Sequence, residues 1–458
     1  MLYRFIKKLA ILAIKLFYNQ IGIKNLRNIP GSDPIIFAAN HPNTMMDPLL
    51  IGYATPRDMY FLAKSTLFKR PVTNWLLTKL RIIPVYRREE SPDKMDKNVA
   101  MFERCYQLLE EGKCVLIFPE GTSLADRTLN RIKTGAARIG FGTEARNNFK
   151  SKVKIIPVGL NYSDVVRFRS DVYIRFGQPI DLTDFADVYH EDEVEAVHLV
   201  TQQIETALQK LTTTLKELDI EAIVIGLETI YKKELIVDQG MKIRDKNDDF
   251  AVTKGLIKAV EWFFEHQPDR VENLKKLLSR YLNNLEHLNL RDEFLSPTRR
   301  SVTLWRRIQA FLYLVLGFPF YIYGLINNYI PYQVPRWYTN RFAPVREWYA
   351  PMKLIAGTGV FICYYGLMIT IVALLSGNTL ITVIYALTLI PSGNFVLRYM
   401  KRAKKYQQHL RFISIFYKKR ALIFKIIEQR MQLIGFLNDA KKDYMASIAD
   451  EQKKIKKQ

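Results

Sequence analysis

A histidine and an aspartate lie close together in the stretch NHPNTMMDP, which runs from Asn40 to Pro48 directly after an apolar segment. A carboxylate such as Asp47 can hold the imidazole of His41 so that the ring accepts a proton, which is the chemistry of a general base. A second interpretation stays open. Asp before Pro is a common helix start, with Asp47 as the N-cap and Pro48 at the first helical position, and His41 would then be an ordinary loop residue.

Three further stretches carry groups that suit anion binding. Arg87 and Arg88 follow an apolar segment, Phe-Pro-Glu-Gly-Thr turns out of another at residues 118–122, and Lys133 precedes a helical pattern. Guanidinium and ammonium groups beside a glycine-containing loop can form a phosphate cradle. Each signal is weak alone, but the ordered set is specific.

In this order the stretches resemble the glycerolipid acyltransferase family, including its members that use glycerol 3-phosphate or dihydroxyacetone phosphate. Members carry an Asn-His block with a downstream Asp, a strand that ends in Arg, a Phe-Pro-Glu-Gly block and a strand that contains Pro. The resemblance covers about residues 31–180. The matching residues here are Asn40, His41, Asp47, Arg87, Phe118, Pro119, Glu120, Gly121 and Ile156-Pro157-Val158.

The resemblance implies that His41 is the general base, which removes a proton from an acceptor hydroxyl as that hydroxyl attacks an acyl thioester. Asp47 would orient the imidazole and stabilise the imidazolium, and Arg87 would bind the acceptor phosphate, with Arg88 as a close second. A thiolate leaves readily, so no enzyme nucleophile is implied. The remaining substrate contacts that we expect are Asn40, Glu120, Gly121, Thr122 and Lys133.

Two departures from the family pattern lie in the Asn-His block and in the Phe-Pro-Glu-Gly block. Five residues separate His41 from Asp47, where four are usual, although some glycerol-phosphate or dihydroxyacetone-phosphate acyltransferases have a similar longer form. Ser123 stands where the family block often has Arg. Phosphate binding would therefore depend on Arg87, Arg88 or Lys133.

The function that we expect is transfer of a fatty acyl group from acyl-CoA or acyl-carrier protein to glycerol 3-phosphate or 1-acyl-glycerol 3-phosphate. Dihydroxyacetone phosphate is an alternative acceptor. A protein of another class, which binds lipid or shapes membranes without turnover, is a further alternative, supported by the lengthened spacing. A metal-dependent hydrolase is disfavoured because the six histidines are scattered, and no metal or other cofactor is expected.

The charge balance predicts an anionic partner. The 458 residues include 68 Lys and Arg against 45 Asp and Glu, a formal charge of +23. Phospholipid, nucleic acid and phosphorylated substrates all fit such a surplus. Three cysteines without metal or redox spacing favour a reduced protein that faces the cytosol.

From about residue 31 to 185, apolar runs alternate with segments of helical period, which predicts an α/β catalytic domain with a mixed sheet flanked by helices. Val99, Phe102, Tyr106 and Leu109 recur every three or four residues before Gly112, which predicts a helix with a glycine C-cap. The predicted strands are 35–39, 59–63, 82–86, 115–118, 155–160 and 172–176.

Two flanking regions read as helical. Residues 1–30 contain apolar residues at helical spacing beside lysines, which favours an interfacial amphipathic helix, although a helix packed on the core is also possible. Residues 186–300 are charged, with one apolar stripe, and predict an accessory helical region. That stripe is Val194, Val197, Ile204, Leu208, Leu211 and Leu215.

Residues 301–400 predict a membrane region. Residues 354–397 hold no charge over 44 positions, enough for two spans of about 20 residues, and Ser-Gly-Asn-Thr at 376–379 splits them into a hairpin. Residues 308–335 contain prolines and asparagines, and we expect a broken, re-entrant or interfacial segment. Basic clusters flank every end, so the positive-inside tendency places these flanks and the catalytic domain of an integral membrane protein on the cytosolic face.

Residues 401–458 form a basic tail with interleaved apolar and aromatic residues. We expect it to lie along anionic phospholipid headgroups. RNA binding is the alternative, and it is disfavoured because a nucleic-acid-binding protein rarely needs a membrane hairpin.

Overall fold

The computed structural model of the protein describes residues 2–87, 92–123, 125, 128–213, 220–240, 246–295 and 304–455. The chain divides into two compact units. The first comprises Met1–Thr214 and Pro335–Thr358, and the second comprises Leu215–Val334 and Gly359–Gln458.

The first unit contains one mixed sheet, which has eight strands in the described part of the chain, in the order β1-β7-β6-β2-β5-β3-β4 with β8 beside β6. Strands β2, β3, β4, β5 and β6 are parallel to one another. Strands β7 and β8 are antiparallel to β6. The strands are β1 Gln20–Lys24, β2 Ile35–Ala39, β3 Met59–Lys64, β4 Ile82–Val85, β5 Cys114–Ile117, β6 Lys154–Tyr162, β7 Asp171–Phe176 and β8 Ile180–Asp181.

Helices cover both faces of this sheet. One face packs on α1 and α2 through residues such as Ile14 and Leu50, and the other packs on α4, α5 and α7 through residues such as Leu108 and Ile139. Every residue of β2 is buried, as expected for a central parallel strand between two helical layers. The helices are α1 Leu2–Phe17, α2 Met46–Ala54, α3 Pro71–Lys79, α4 Asn98–Glu110, α5 Gly135–Arg146, α6 Ala186–Glu191 and α7 Glu193–Leu211.

The predicted α/β class and all six predicted strands are confirmed, with strand ends shifted by at most two residues. The helix before Gly112 is also confirmed, and Gly112 has the left-handed φ of 69° expected of a C-cap. The pattern missed β1, which lies at the edge of the sheet, and β8, which has two residues.

The predicted domain boundaries at residues 30 and 186 are wrong. Ile14 and Phe17 of α1 lie in the core of the sheet, although Phe5 and Leu12 of the same helix are exposed. The stripe on α7 also belongs to this core through Val197, Ile204 and Leu208, whereas Val194 is exposed and Leu215 lies outside the described residues. An amphipathic pattern gives the period of a buried face but not the element that covers it. An interfacial position for α1 stays a prediction.

The second unit is helical in its described residues. Helices α8, α9, α10, α11 and α15 share one apolar core, which includes Val224, Leu278 and Leu433. The additional helices are α8 Glu221–Ile230, α9 Lys232–Asp238, α10 Lys246–His266, α11 Pro268–His287, α12 Leu304–Phe342, α13 Tyr349–Ser376, α14 Thr379–Lys418 and α15 Arg420–Ile455.

The prediction that the basic tail lies along headgroups is wrong for its apolar residues. Ile423 and Ile426 are fully buried in the core of the second unit, and Phe412, Ile415 and Phe416 pack against that core. Sequence periodicity alone does not distinguish a helix that faces lipid from one that faces other helices.

Among the described residues, three helices are long and apolar enough to cross a membrane: Ile308–Phe342, Arg346–Ser376 and Thr379–Lys418. The turn between the second and third lies at Gly377, as the hairpin prediction requires. The re-entrant prediction for 308–335 is wrong, because α12 continues as one helix through Pro319 and Pro331. An interfacial position for that segment stays a prediction.

Polar side chains connect these apolar helices within the second unit. The Asn327 amide oxygen accepts a hydrogen bond from the Tyr385 hydroxyl at 2.5 Å. The Asn328 side chain accepts one from Tyr365 at 2.5 Å and donates one to Ser392 at 3.2 Å. The asparagines that suggested a broken segment are therefore inter-helix hydrogen-bond partners.

Candidate active site

His41 and Asp47 meet at the carboxyl end of the central strand β2. The His41 Nδ1 atom lies 2.8 Å from Asp47 Oδ2. Asp47 is fully buried and also accepts hydrogen bonds from the Asn43 backbone amide at 2.7 Å and from the Tyr162 hydroxyl. The N-cap interpretation of Asp47 is wrong, because α2 begins at Met46 and the carboxylate faces the histidine.

This geometry fixes the tautomer of the neutral imidazole. A carboxylate can only accept, so Nδ1 carries the proton and Nε2 keeps its lone pair. The His41 side chain is 15% exposed, so one edge of the ring stays accessible. The five intervening residues therefore do not separate the pair, and the arrangement suits general-base chemistry.

The loop after β5 supports the histidine from the side. The Phe118 ring stacks on the His41 ring, with centroids 3.9 Å apart and planes 13° apart. The His41 backbone amide donates a hydrogen bond to Glu120 Oε1 at 2.8 Å. Because β2 and β5 are parallel neighbours, the loops that follow them emerge side by side.

Glu120 is buried and organises its own loop. Its second oxygen accepts hydrogen bonds from the Asn130 backbone amide at 3.0 Å and side-chain amide at 3.1 Å. Burial raises the pKa of the Glu120 carboxyl, and the hydrogen bonds from Asn130 and His41 oppose that rise. The structure thus gives Glu120 a supporting position beside the pair, and its contact with substrate stays a prediction.

Asn40 anchors the histidine loop to the next strand. Its side-chain nitrogen donates to the Leu160 carbonyl at 3.1 Å, and its oxygen accepts from the Leu160 amide at 2.7 Å. The buried carboxamide is therefore fully engaged with β6. Its predicted contact with substrate stays untested, and the geometry favours a positioning role.

Gly121, Thr122 and Lys133 lie together beside this loop. Gly121 has a left-handed φ of 74°, and a Cβ atom there would lie 2.8 Å from Lys133 Nζ. Thr122 is exposed. Helix α5 begins at Gly135, so its positive N-terminal end adds to the Lys133 charge. This arrangement suits an anion, and the predicted substrate contacts stay predictions.

Arg87 follows β4, the last strand in the order β2-β5-β3-β4 and thus an edge strand of the sheet. The Tyr86 backbone is held by Asn98, with hydrogen bonds of 2.9 Å and 2.7 Å. Three strand spacings of about 4.8 Å, or roughly 14 Å in all, separate β4 from β2. Arg87 and His41 therefore both follow the carboxyl ends of parallel strands, but these strands are three positions apart. Arg88 lies outside the described residues.

Tyr162 is a site residue that the sequence patterns missed. It ends β6, and its hydroxyl donates to Asp47 Oδ1. Burial and the neighbouring Asp47 carboxylate raise the pKa of Tyr162 well above its usual value, so the hydroxyl keeps its proton. Its position at the carboxyl end of the Pro-containing strand, parallel to the His41 strand, was the available signal.

Comparisons with known proteins agree with this geometry. Residues 20–161 match the family model described as Acyltransferase. A chloroplastic 1-acyl-sn-glycerol-3-phosphate acyltransferase of Arabidopsis thaliana is 29% identical over 34% of this chain and 40% of its own length. Glycerol-3-phosphate O-acyltransferase 1 of Saccharomyces cerevisiae is 26% identical over 45% of this chain and 26% of its own length.

A bacterial relative matches over more of its own length. The 1-acyl-sn-glycerol-3-phosphate acyltransferase of Streptococcus pneumoniae is 25% identical over 47% of this chain and 75% of its own length. The chain spans less than half the length of the plant and yeast relatives. The matched segment contains the His41–Asp47 pair, the loop after β5 and most of β6, so this part of the chain is similar to the family described as Acyltransferase.

Proposed function

We propose that the protein is a membrane-bound O-acyltransferase. It moves a fatty acyl group from acyl-CoA or acyl-carrier protein to glycerol 3-phosphate or 1-acyl-glycerol 3-phosphate. The observation that carries this proposal is the His41–Asp47 pair, whose Nδ1–Oδ2 distance of 2.8 Å leaves Nε2 unprotonated in a partly exposed side chain.

The pair supplies the proton transfers of the reaction. His41 Nε2 takes the proton of the acceptor hydroxyl while the hydroxyl oxygen attacks the thioester carbonyl carbon. The carbon–sulfur bond then breaks, the thiolate leaves, and the imidazolium returns the proton to the sulfur. Buried Asp47 stabilises the imidazolium between these steps. The ester oxygen in the product is thus the oxygen of the acceptor.

Positive charge near the pair supports a phosphorylated acceptor. Lys133 lies against Gly121 near the start of α5, and Arg87 leaves the same sheet edge. The named activities of the relatives use glycerol 3-phosphate or its 1-acyl derivative. We propose that Arg87 and Lys133 bind the phosphate, with Arg88 as the alternative to Arg87. Dihydroxyacetone phosphate stays an alternative acceptor of the same class.

Three apolar helices support an integral membrane location, and we propose that the catalytic domain faces the cytosol, where the thioester donors are made available. The alternative of a lipid-binding protein without turnover rested on the lengthened spacing between His41 and Asp47. Since the two side chains are hydrogen-bonded, that spacing no longer supports it.

Replacement of His41 tests the proposal. Membranes with wild-type, His41→Ala or His198→Ala protein are offered an acyl thioester and, in parallel, labelled glycerol 3-phosphate, dihydroxyacetone phosphate and lysophosphatidate. We expect one acceptor to be acylated and His41→Ala to lose roughly 10²- to 10⁴-fold in rate. His198 is exposed on α7 and serves as the matched control. Turnover by His41→Ala at the wild-type rate, or silence of folded wild type on all acceptors, would refute it.

A further inference from the structure

We propose that Glu347 and Ser123 are positioning residues that hold the His41–Asp47 loop in its reactive arrangement. Glu347 lies in the connection between α12 and α13, in a short 3-10 helix, Arg346–Trp348. The inference rests on the proposed function of the His41 site. It assigns a role in catalysis to a segment that the sequence patterns treated only as a basic connection between apolar helices.

Three hydrogen bonds join three segments of the first unit in a closed ring. The Thr44 backbone amide donates to Ser123 Oγ at 3.0 Å, and the Thr44 hydroxyl donates to the Glu347 carbonyl at 3.0 Å. The Ala125 backbone amide donates to Glu347 Oε1 at 3.1 Å. We call these three bonds the clamp. Its members come from the loop that contains the catalytic pair, the loop after β5 and the connection before α13.

The segment around Glu347 is itself anchored to the first unit. Lys353 donates a hydrogen bond to the Val166 carbonyl at 3.1 Å. Ala350 and Leu354 are buried in the same core as Met46 and Leu50 of α2. The Glu347 backbone therefore has a fixed position, from which its carbonyl holds Thr44 and its carboxylate holds the Ala125 amide.

The position of Thr44 explains how the clamp acts on catalysis. Thr44 lies between His41 and Asp47 in the chain, at the middle of the segment that must bend to bring them together. The loop after β5 carries Phe118 and Glu120, which contact His41 directly. Since the clamp fixes both loops, its loss should displace the imidazole from the acceptor. Displacement of about 1 Å can cost roughly 10²-fold in rate.

The chemistry of the clamp predicts which substitutions are tolerated. The Glu347 side chain acts as an acceptor from a backbone amide, and a glutamine oxygen can fill the same role. Ser123 likewise acts as an acceptor, and threonine keeps a hydroxyl at that position. The serine at the position where the family block often has arginine is therefore the partner of the Thr44 amide in this chain.

The test compares Glu347→Ala, Glu347→Gln, Ser123→Ala and Ser123→Thr in the full-length protein. We expect the alanine variants to lower kcat about tenfold or more while KM for the thioester changes less than twofold. Glu347→Gln and Ser123→Thr should stay within about threefold of wild type. A double alanine variant should lose little more than the worse single variant, because each side chain supplies one bond of the same closed ring.

Hydrogen–deuterium exchange supplies a second measurement that does not require turnover. We expect Glu347→Ala to reduce the protection of peptides that contain the Ala125 amide, and Ser123→Ala to reduce the protection of peptides that contain the Thr44 amide. The control is Glu103→Ala, which removes a carboxylate bound to Arg146 and should change neither exchange nor kcat. Unchanged exchange at both amides would refute the clamp even if the protein has no acyltransferase activity. Full activity of Glu347→Ala in an enzyme that needs His41 would refute its catalytic role while leaving the proposed function intact.

Discussion

Two buried carboxylates, one in each unit, have similar surroundings and different partners. Asp47 accepts hydrogen bonds from the Tyr162 hydroxyl and from the ring of His41. Asp292 in the second unit accepts one from the Tyr281 hydroxyl at 2.7 Å and one from Arg430 Nε at 2.8 Å. Burial raises the pKa of both tyrosines, so each hydroxyl keeps its proton.

The two clusters differ in the basic side chain that binds the carboxylate. Arg430 is 3% exposed and is also bound by Glu234 at 2.7 Å, so its guanidinium is enclosed by two carboxylates and cannot give up a proton. His41 is partly exposed, and a neutral imidazole has a lone pair that can accept a proton. A buried charged cluster therefore indicates a reactive site only when one member can exchange a proton at an accessible edge. The Asp292 cluster joins helices, whereas we propose that the Asp47 cluster performs chemistry.

Replacement of Asp47 by Asn should have the largest effect. An amide can donate to Nδ1 and favour the wrong tautomer, so we expect kcat to fall roughly 10³- to 10⁴-fold. The measurement is the acceptor acylation rate of membranes with equal amounts of folded protein. Asp33→Asn is the control. Asp33 precedes β2, at the end of that strand opposite His41, and pairs with Lys154. Wild-type turnover by Asp47→Asn would remove Asp47 from the mechanism.

Replacement of Arg430 by Ala should lower stability rather than turnover. The buried Asp292 and the partly buried Glu234 lose their cation, and loss of one partner of a buried ion pair typically costs about 3–5 kcal/mol. We expect a lower Tm of the purified protein and an unchanged kcat below the transition. Lys276→Ala removes an exposed ion pair to Glu272 and should cost less than about 1 kcal/mol. Equal losses in the two variants would show that the cluster does not stabilise the second unit.

The two tyrosines give the smallest and most direct contrast. Each Tyr→Phe change removes one hydroxyl that donates to a buried carboxylate. We expect Tyr162→Phe to lower kcat about tenfold, and Tyr281→Phe to lower stability by about 1–2 kcal/mol without a change in kcat. Kinetics and thermal unfolding of both variants, measured side by side, test this. A loss of turnover in Tyr281→Phe would contradict the division between the clusters.

The central strands and the paired motifs were predictable because their signals are local. Buried parallel strands are continuous apolar runs, and the loops that follow them carry the reactive side chains. The neighbouring residues did not show whether Asp47 is a helix N-cap or the partner of His41, since Asp before Pro suits both roles. Only the contact with His41 distinguishes the two.

Contacts between distant segments were not predictable from one sequence. The bond between Thr44 and Glu347 joins residues 303 positions apart, and no local pattern marks either partner. Helix α15 has a basic amphipathic pattern that suits a lipid surface, yet Ile423 and Ile426 face other helices. The prolines of α12 suggested a break, but helices in apolar surroundings tolerate proline when neighbours satisfy the backbone.

The hydrogen bonds of Asn327 and Asn328 have a consequence for the order of biosynthesis. Tyr385 follows Asn327 by 58 positions. A ribosome adds about 5–20 residues per second, so roughly 3–12 seconds pass before the partner of Asn327 is made. If α12 enters a bilayer first, the Asn327 side-chain oxygen spends that interval in hydrocarbon without its Tyr385 partner. We expect the insertion machinery to retain α12 until α14 arrives, so that translation speed becomes a determinant of yield.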